Sequence, residues 1–124
     1  MRFRVCQLIN KLLNNLGDDA AIDDELAERI FESMLTRLHD KFPAVRVQAV
    51  AAIARLQDPS DPECTVLSTY LELMSNDSSA EVRRAVLLNI ALSSHTLERI
   101  IGTYNNTCIY SIYRYCKFHF HLCS

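Results

Sequence analysis

The sequence predicts an all-α fold, an α-solenoid of five to six helices packed in pairs, and three observations lead to it. Only two glycines and three prolines occur in 124 residues, too few for an all-β chain that turns about every ten residues. Apolar residues recur at spacings of three and four along most of the chain, the period of one helix face. Finally, "AVRVQAVAAI" at 44–53 is echoed by "EVRRAVLLNI" at 81–90, an offset of 37 residues.

The elements follow in order. Val5, Leu8, Ile9, Leu12, Leu13 and Leu16 place a first helix over 3–16, with Gly17 as its stop. After the acidic loop "GDDAAIDD", a second helix over 24–39 carries Leu26, Ile30, Met34, Leu35 and Leu38 on its inner side. The acidic residues of its first turn, Asp23, Asp24, Glu25 and Glu28, suit the positive end of a helix dipole; the alternative is a docking site for a basic partner. Pro43 opens a third helix that runs to about Leu56. Asp61 as cap and Pro62 as first residue open a fourth, to Ser75. Ser78 and Glu81, spaced as a capping box, open a fifth, to Leu92. "LERIIG" reads as the start of a sixth.

Shifting the chain by 37 residues lays Ile30 on Leu67, Met34 on Leu71, Asp40 on Asp77, Val45 on Val82, Arg46 on Arg83, Ala49 on Val86 and Ile53 on Ile90. Amphipathicity alone does not explain why a polar aspartate and a polar arginine coincide as well. Repeats of this length built from paired helices mark an α-solenoid. One pair has two apolar faces and buries both only by stacking on its neighbours. The arginines sit at the edge of the apolar stripe, where a half-buried guanidinium needs an acceptor, and Asp40 and Asp77 stand in the turns nearby.

Asp40, Val45 and Arg46, repeated as Asp77, Val82 and Arg83, resemble the HEAT repeat, whose aspartates and arginines form a ladder between successive units. The first helix aligns less well, with Phe3 and Arg4 laid on Val45 and Arg46. This reading divides the chain into 1–16, the second helix of a partial repeat; 24–56 and 61–92, two HEAT-like repeats; 96–102, the start of a further helix; and 103–124, an unrelated, disordered tail. Over 2–102 the sequence is similar to the HEAT-repeat regulatory subunits of condensin I, the condensin subunit 3 family. That resemblance implies no catalysis and no cofactor. It implies a scaffold that grips the kleisin subunit and duplex DNA in mitotic chromosome condensation, connects through kleisin to the ATPase coiled-coil subunits, and resides in the nucleus and on chromosomes with a cytoplasmic pool. Arg2, Arg4, Lys11, Arg55 and Arg84 are cations that the ladder does not obviously consume, and are the expected DNA or partner contacts. The alternatives are a generic HEAT or armadillo scaffold, as in transport receptors and phosphatase scaffolds, or a non-functional truncated product.

Charge and composition narrow the classes further. All 15 acidic residues lie at or before Glu98, and no basic block of the kind that binds nucleic acid or directs nuclear import is present. No apolar run approaches the ~18 residues of a membrane span, and the N-terminal stretch lacks a signal-peptide pattern, which points to a reducing interior compartment. His39 and His95 stand at helix ends, and Cys6 and Cys64 at core positions, without a hydrolase, zincin or phosphate-loop motif around them. The last 22 residues hold four of five tyrosines, three of five cysteines and no acid. This jump in composition suggests a truncated or alternatively spliced end. Cys108, Cys116, His119, His121 and Cys123 could be read as zinc ligands, but three of them alternate rather than pair, against the usual spacing.

Overall fold

The computed structural model describes residues 1–17 and 20–103. Six α-helices follow one another: α1 (Arg2–Asn15), α2 (Asp24–Arg37), α3 (Pro43–Ile53), α4 (Thr65–Asn76), α5 (Ala80–Asn89) and α6 (Ser94–Thr103), with a 3₁₀ turn, Ala54–Leu56, continuing α3. No strand occurs among the described residues. Local chemistry explains most of the boundaries. The Asp23 carboxylate accepts the Leu26 amide at 3.4 Å, Asp24 and Glu25 occupy the first turn of α2, and Arg37 its last, charges that suit both ends of its dipole. Extended Phe42 delivers Pro43 into the first turn of α3.

Of the boundaries that differ from the sequence reading, four have a clear local cause. α4 starts at Thr65 rather than Pro62, because Asp61 is spent in a turn: its carboxylate accepts the Glu63 amide at 2.9 Å and its carbonyl the Cys64 amide at 3.2 Å. Ser79, not Ser78, caps α5, its hydroxyl accepting the Val82 amide. α5 also stops at Asn89, short of Leu92. The Gln57 side chain intercepts it, donating to the Asn89 carbonyl at 2.6 Å and accepting the Ala91 amide at 2.7 Å. At the end of α1, Gly17 does not take the left-handed conformation of a glycine stop. Arg55 donates instead to the carbonyls of Leu13 and Leu16 at 2.7 and 2.8 Å.

Helices α1, α3 and α5 form a row in which α3 packs on both of the others, while α2 packs on α3 and α4 on α5. Two helical pairs thus stack, and α1 extends the row. Met34, Leu38, Ala49, Val50, Ile53 and Val86 are fully buried where these elements meet. The small side chains of Ala49 and Ala52 let neighbouring backbones approach α3 closely. Tyr70 is buried between the pairs, with its hydroxyl donating to the Val50 carbonyl; burial pushes its phenol pKa well above the usual tyrosine value. The outer faces are less covered than periodicity predicts. Val5, Leu8 and Leu12 are 48%, 59% and 57% exposed, and Leu26 is exposed as well, because among the described residues no helix lies over that side.

Candidate functional site

The two repeat motifs converge on one edge of the row. The Arg46 guanidinium forms a two-pronged ion pair with Asp77, Nε to Oδ2 at 2.8 Å and Nη2 to Oδ1 at 2.9 Å. Its remaining nitrogen, Nη1, donates to the Asp40 carbonyl at 2.8 Å. Arg46 therefore ties the turn of its own pair to the turn of the next. Asp77 completes its shell by accepting the Ser79 amide at 2.8 Å, and Arg83 repeats the local bond with Nη1 on the Asp77 carbonyl. Val45 and Val82 lie buried beside these arginines at 4% and 0% exposure.

Asp40 occupies the same place one unit earlier. Its Oδ1 accepts the Phe42 amide at 3.0 Å, and its Oδ2 meets Arg37 at 2.9 Å and Arg2 at 3.0 Å. The Phe42 hydrogen bond, then the positive charges of Arg2, Arg37 and Lys41, hold the Asp40 carboxyl below the usual carboxylate range, against the opposing effect of its desolvation. The pairing also corrects the alignment of α1. Arg2, not Arg4, stands where Arg46 stands, an offset of 44 residues. The shift comes from the helices: α1 runs further past Arg2 than α3 and its 3₁₀ turn run past Arg46, and α2 starts further ahead of Asp40 than α4 does ahead of Asp77.

The five cations expected as contacts now separate. Arg2 is engaged with Asp40 and lies over the Phe42 ring, 5.6 Å from its centre. Arg55 caps the end of α1. Neither is the uncommitted cation expected, because each meets an acceptor that only helix stacking brings close. Arg4 and Lys11 lie on the outer side of α1, lining a depression with Phe3, Gln7 and Leu8, and Arg84 is exposed on α5. Among the described residues these three make no ion pair. Sequence reasoning missed Arg37 and Gln57, whose partners lie in a turn and in the next pair; no repeat spacing marks them.

Between the two aspartate turns lies a shallow depression of about 290 Å³, lined by His39, Asp40, Arg46, Glu72, Asp77 and Ser78 among others. Arg46 and Asp77 pair across it, and the Asp40 carboxylate is engaged by Arg2 and Arg37. Cys6 is buried on the inner face of α1, and desolvation raises its thiol pKa, which favours the protonated, less reactive form. No cluster of metal-binding side chains and no membrane-spanning helix is present among the described residues. The cysteine and histidine set of the tail, and the further course of that tail, lie outside the described residues.

Stacked helical pairs joined by aspartate–arginine rungs define a HEAT-type repeat scaffold. No family model matches the chain. It is 60% identical over 102 residues, 82% of its length, to condensin complex subunit 3 of Xenopus laevis, and 56% identical over 102 residues to the same subunit of Homo sapiens. Among solved structures, the S. pombe condensin Cnd3–Cnd2 subcomplex matches with a TM-score of 0.74 and 37% identity over 98% of this chain and 15% of the other. The chain belongs to the condensin complex subunit 3 family, and spans about 10% of the length of those two vertebrate relatives.

Proposed function

We propose that this chain serves as a non-catalytic scaffold segment of a condensin subunit that binds the kleisin subunit and, with it, duplex DNA in mitotic chromosome condensation. The observation that carries the reading is the combined sequence and fold match to a subunit solved as a Cnd3–Cnd2 subcomplex. In this reading kleisin links the segment to the ATPase coiled-coil subunits, and its setting is the nucleus and chromosomes, with a cytoplasmic pool. The rungs hold the curvature of the surface, while Arg4, Lys11 and Arg84 supply phosphate contacts because their charges are not spent inside the fold.

Two measurements test this. Co-expressed with a tagged kleisin, the full chain is expected to co-purify; failure to do so, together with capture by a nuclear transport cargo, favours the generic scaffold. Charge reversal of Arg4, Lys11 and Arg84 in the kleisin-bound complex is expected to weaken DNA binding about equally for all sequences. It is also expected to flatten the salt dependence by about 0.9 log units for each phosphate no longer neutralised. Unchanged affinity and slope would remove DNA from the proposal.

A further inference from the structure

The row of α1, α3 and α5 is tied along two edges. One edge carries the aspartate–arginine rungs. At the other lie the 3₁₀ turn Ala54–Leu56 and the residue after it, Gln57, where two side chains reach in opposite directions. Arg55 reaches back to α1, donating to the carbonyls of Leu13, Leu16 and Gly17 at 2.7, 2.8 and 3.4 Å. Gln57 reaches forward to the end of α5, donating to the Asn89 carbonyl at 2.6 Å and accepting the Ala91 amide at 2.7 Å. The same amide nitrogen of Gln57 also donates at 2.7 Å to the carbonyl of Ala54, inside the turn that carries Arg55. The ends of α1 and α5 are thus joined through three consecutive residues, 55 to 57. This arrangement lies outside the repeat pattern, because 37 residues on, Leu92 and Ser94 stand in place of Arg55 and Gln57.

We propose that this turn is a coupling device, which makes the packing of α3 on α1 and the packing of α3 on α5 interdependent. The reason is that one short segment serves two anchors. A 3₁₀ turn of three residues has few backbone freedoms. With Arg55 held against α1 the turn is fixed, and the Ala54 carbonyl stands where it orients the Gln57 amide toward α5. When Arg55 is released, Gln57 must order the turn alone, and that entropy is subtracted from its hold on α5. The converse applies when Gln57 is released, with equal magnitude, since a coupling free energy is reciprocal. Both anchors are helix ends, whose last carbonyls lack partners within the helix and which open at lower free energy than helix centres. A disturbance at one interface is therefore read first at the far helix end. Nothing in this inference depends on kleisin or DNA binding.

Hydrogen exchange of the full chain, followed amide by amide, tests it. Arg55→Ala removes the bonds to α1, yet the Ala91 amide at the end of α5 is expected to exchange at least about threefold faster than in the parent chain. Gln57→Ala is expected to have a similar effect on the Leu16 amide, which the Leu12 carbonyl accepts at 3.1 Å at the end of α1. Arg2→Ala loosens α1 at the opposite edge without touching the turn, and is expected to leave Ala91 unchanged. That control separates transmission through the turn from a general loosening of α1. In urea unfolding, the double variant is expected to lose less than the product of the two single losses in folding equilibrium constant, by about threefold or more. Unchanged Ala91 exchange in Arg55→Ala, an equal response to Arg2→Ala, or single losses that simply multiply would overturn the proposal. Should the double variant not fold, exchange in the single variants decides.

Discussion

The two aspartate turns are built from the same residue and do different work. Asp77 receives a single arginine, Arg46, through both oxygens, with side chains only 11% and 4% exposed. Asp40 shares one oxygen between Arg37 and Arg2, and the Arg2 side chain is 46% exposed. The Asp77 rung joins two complete helical pairs across the middle of the molecule. The Asp40 rung joins the first pair to a helix that, among the described residues, has a neighbour on one side only. Identical motif chemistry therefore gives a fork-to-fork, desolvated bond in the interior of the stack and a looser, shared bond at its end, because neighbours on both sides are what exclude water and fix the guanidinium.

The comparison can be broken first at its strong side. Asp77→Ala leaves the Arg46 charge half-buried without its carboxylate and is expected to cost about 3 kcal/mol, the usual effect of removing one partner of a desolvated pair. Thermal or urea unfolding reads it directly. Arg46→Lys retains the charge but loses the fork, and a loss of about 1.5 kcal/mol is expected from the missing second bond. On the opposite edge of the row, Gln57→Ala opens the end of α5. About 1 kcal/mol is expected, with faster amide exchange at Ala91 as the local signature.

The weak rung is better probed by acid than by truncation. The folded Asp40 carboxyl titrates below its unfolded value, so its contribution is fully present above the ordinary carboxylate range and is lost as pH falls through the depressed folded value. Asp40→Asn is therefore expected to flatten the acid limb of the stability curve while changing the neutral midpoint less than Asp77→Ala does. Arg2→Ala should give the smallest shift of the series, since exposed ion pairs add little. If it matched Arg46→Lys, the contrast between the two rungs would fail.

Much of this architecture is legible in the chain. The helix count, the offset of 37 residues and the recurrence of an aspartate and an arginine in each unit all follow from periodicity and from polar residues that recur in step. The candidate contacts were less legible. Arg2, Arg4 and Lys11 read alike as cations of one helix without a marked partner, and the position of the Asp40 turn separates the first from the others. Arg55 reads as a leftover cation because its acceptors lie some forty residues earlier, at the end of a helix that stacking places beside it. The start of α4 and the end of α5 were misplaced for a similar reason, one by a competing aspartate turn and the other by a glutamine reaching from the preceding pair.

By itself, the sequence determined that the chain is helical, that it repeats, and which residue types recur at the turns, because these depend on spacing along a single segment. Tertiary structure alone decided which carboxylate each arginine meets, which cations remain exposed and which apolar stripe stays uncovered. Those outcomes depend on groups 31 to 42 residues apart, brought together only when one helical pair buries its face against the next.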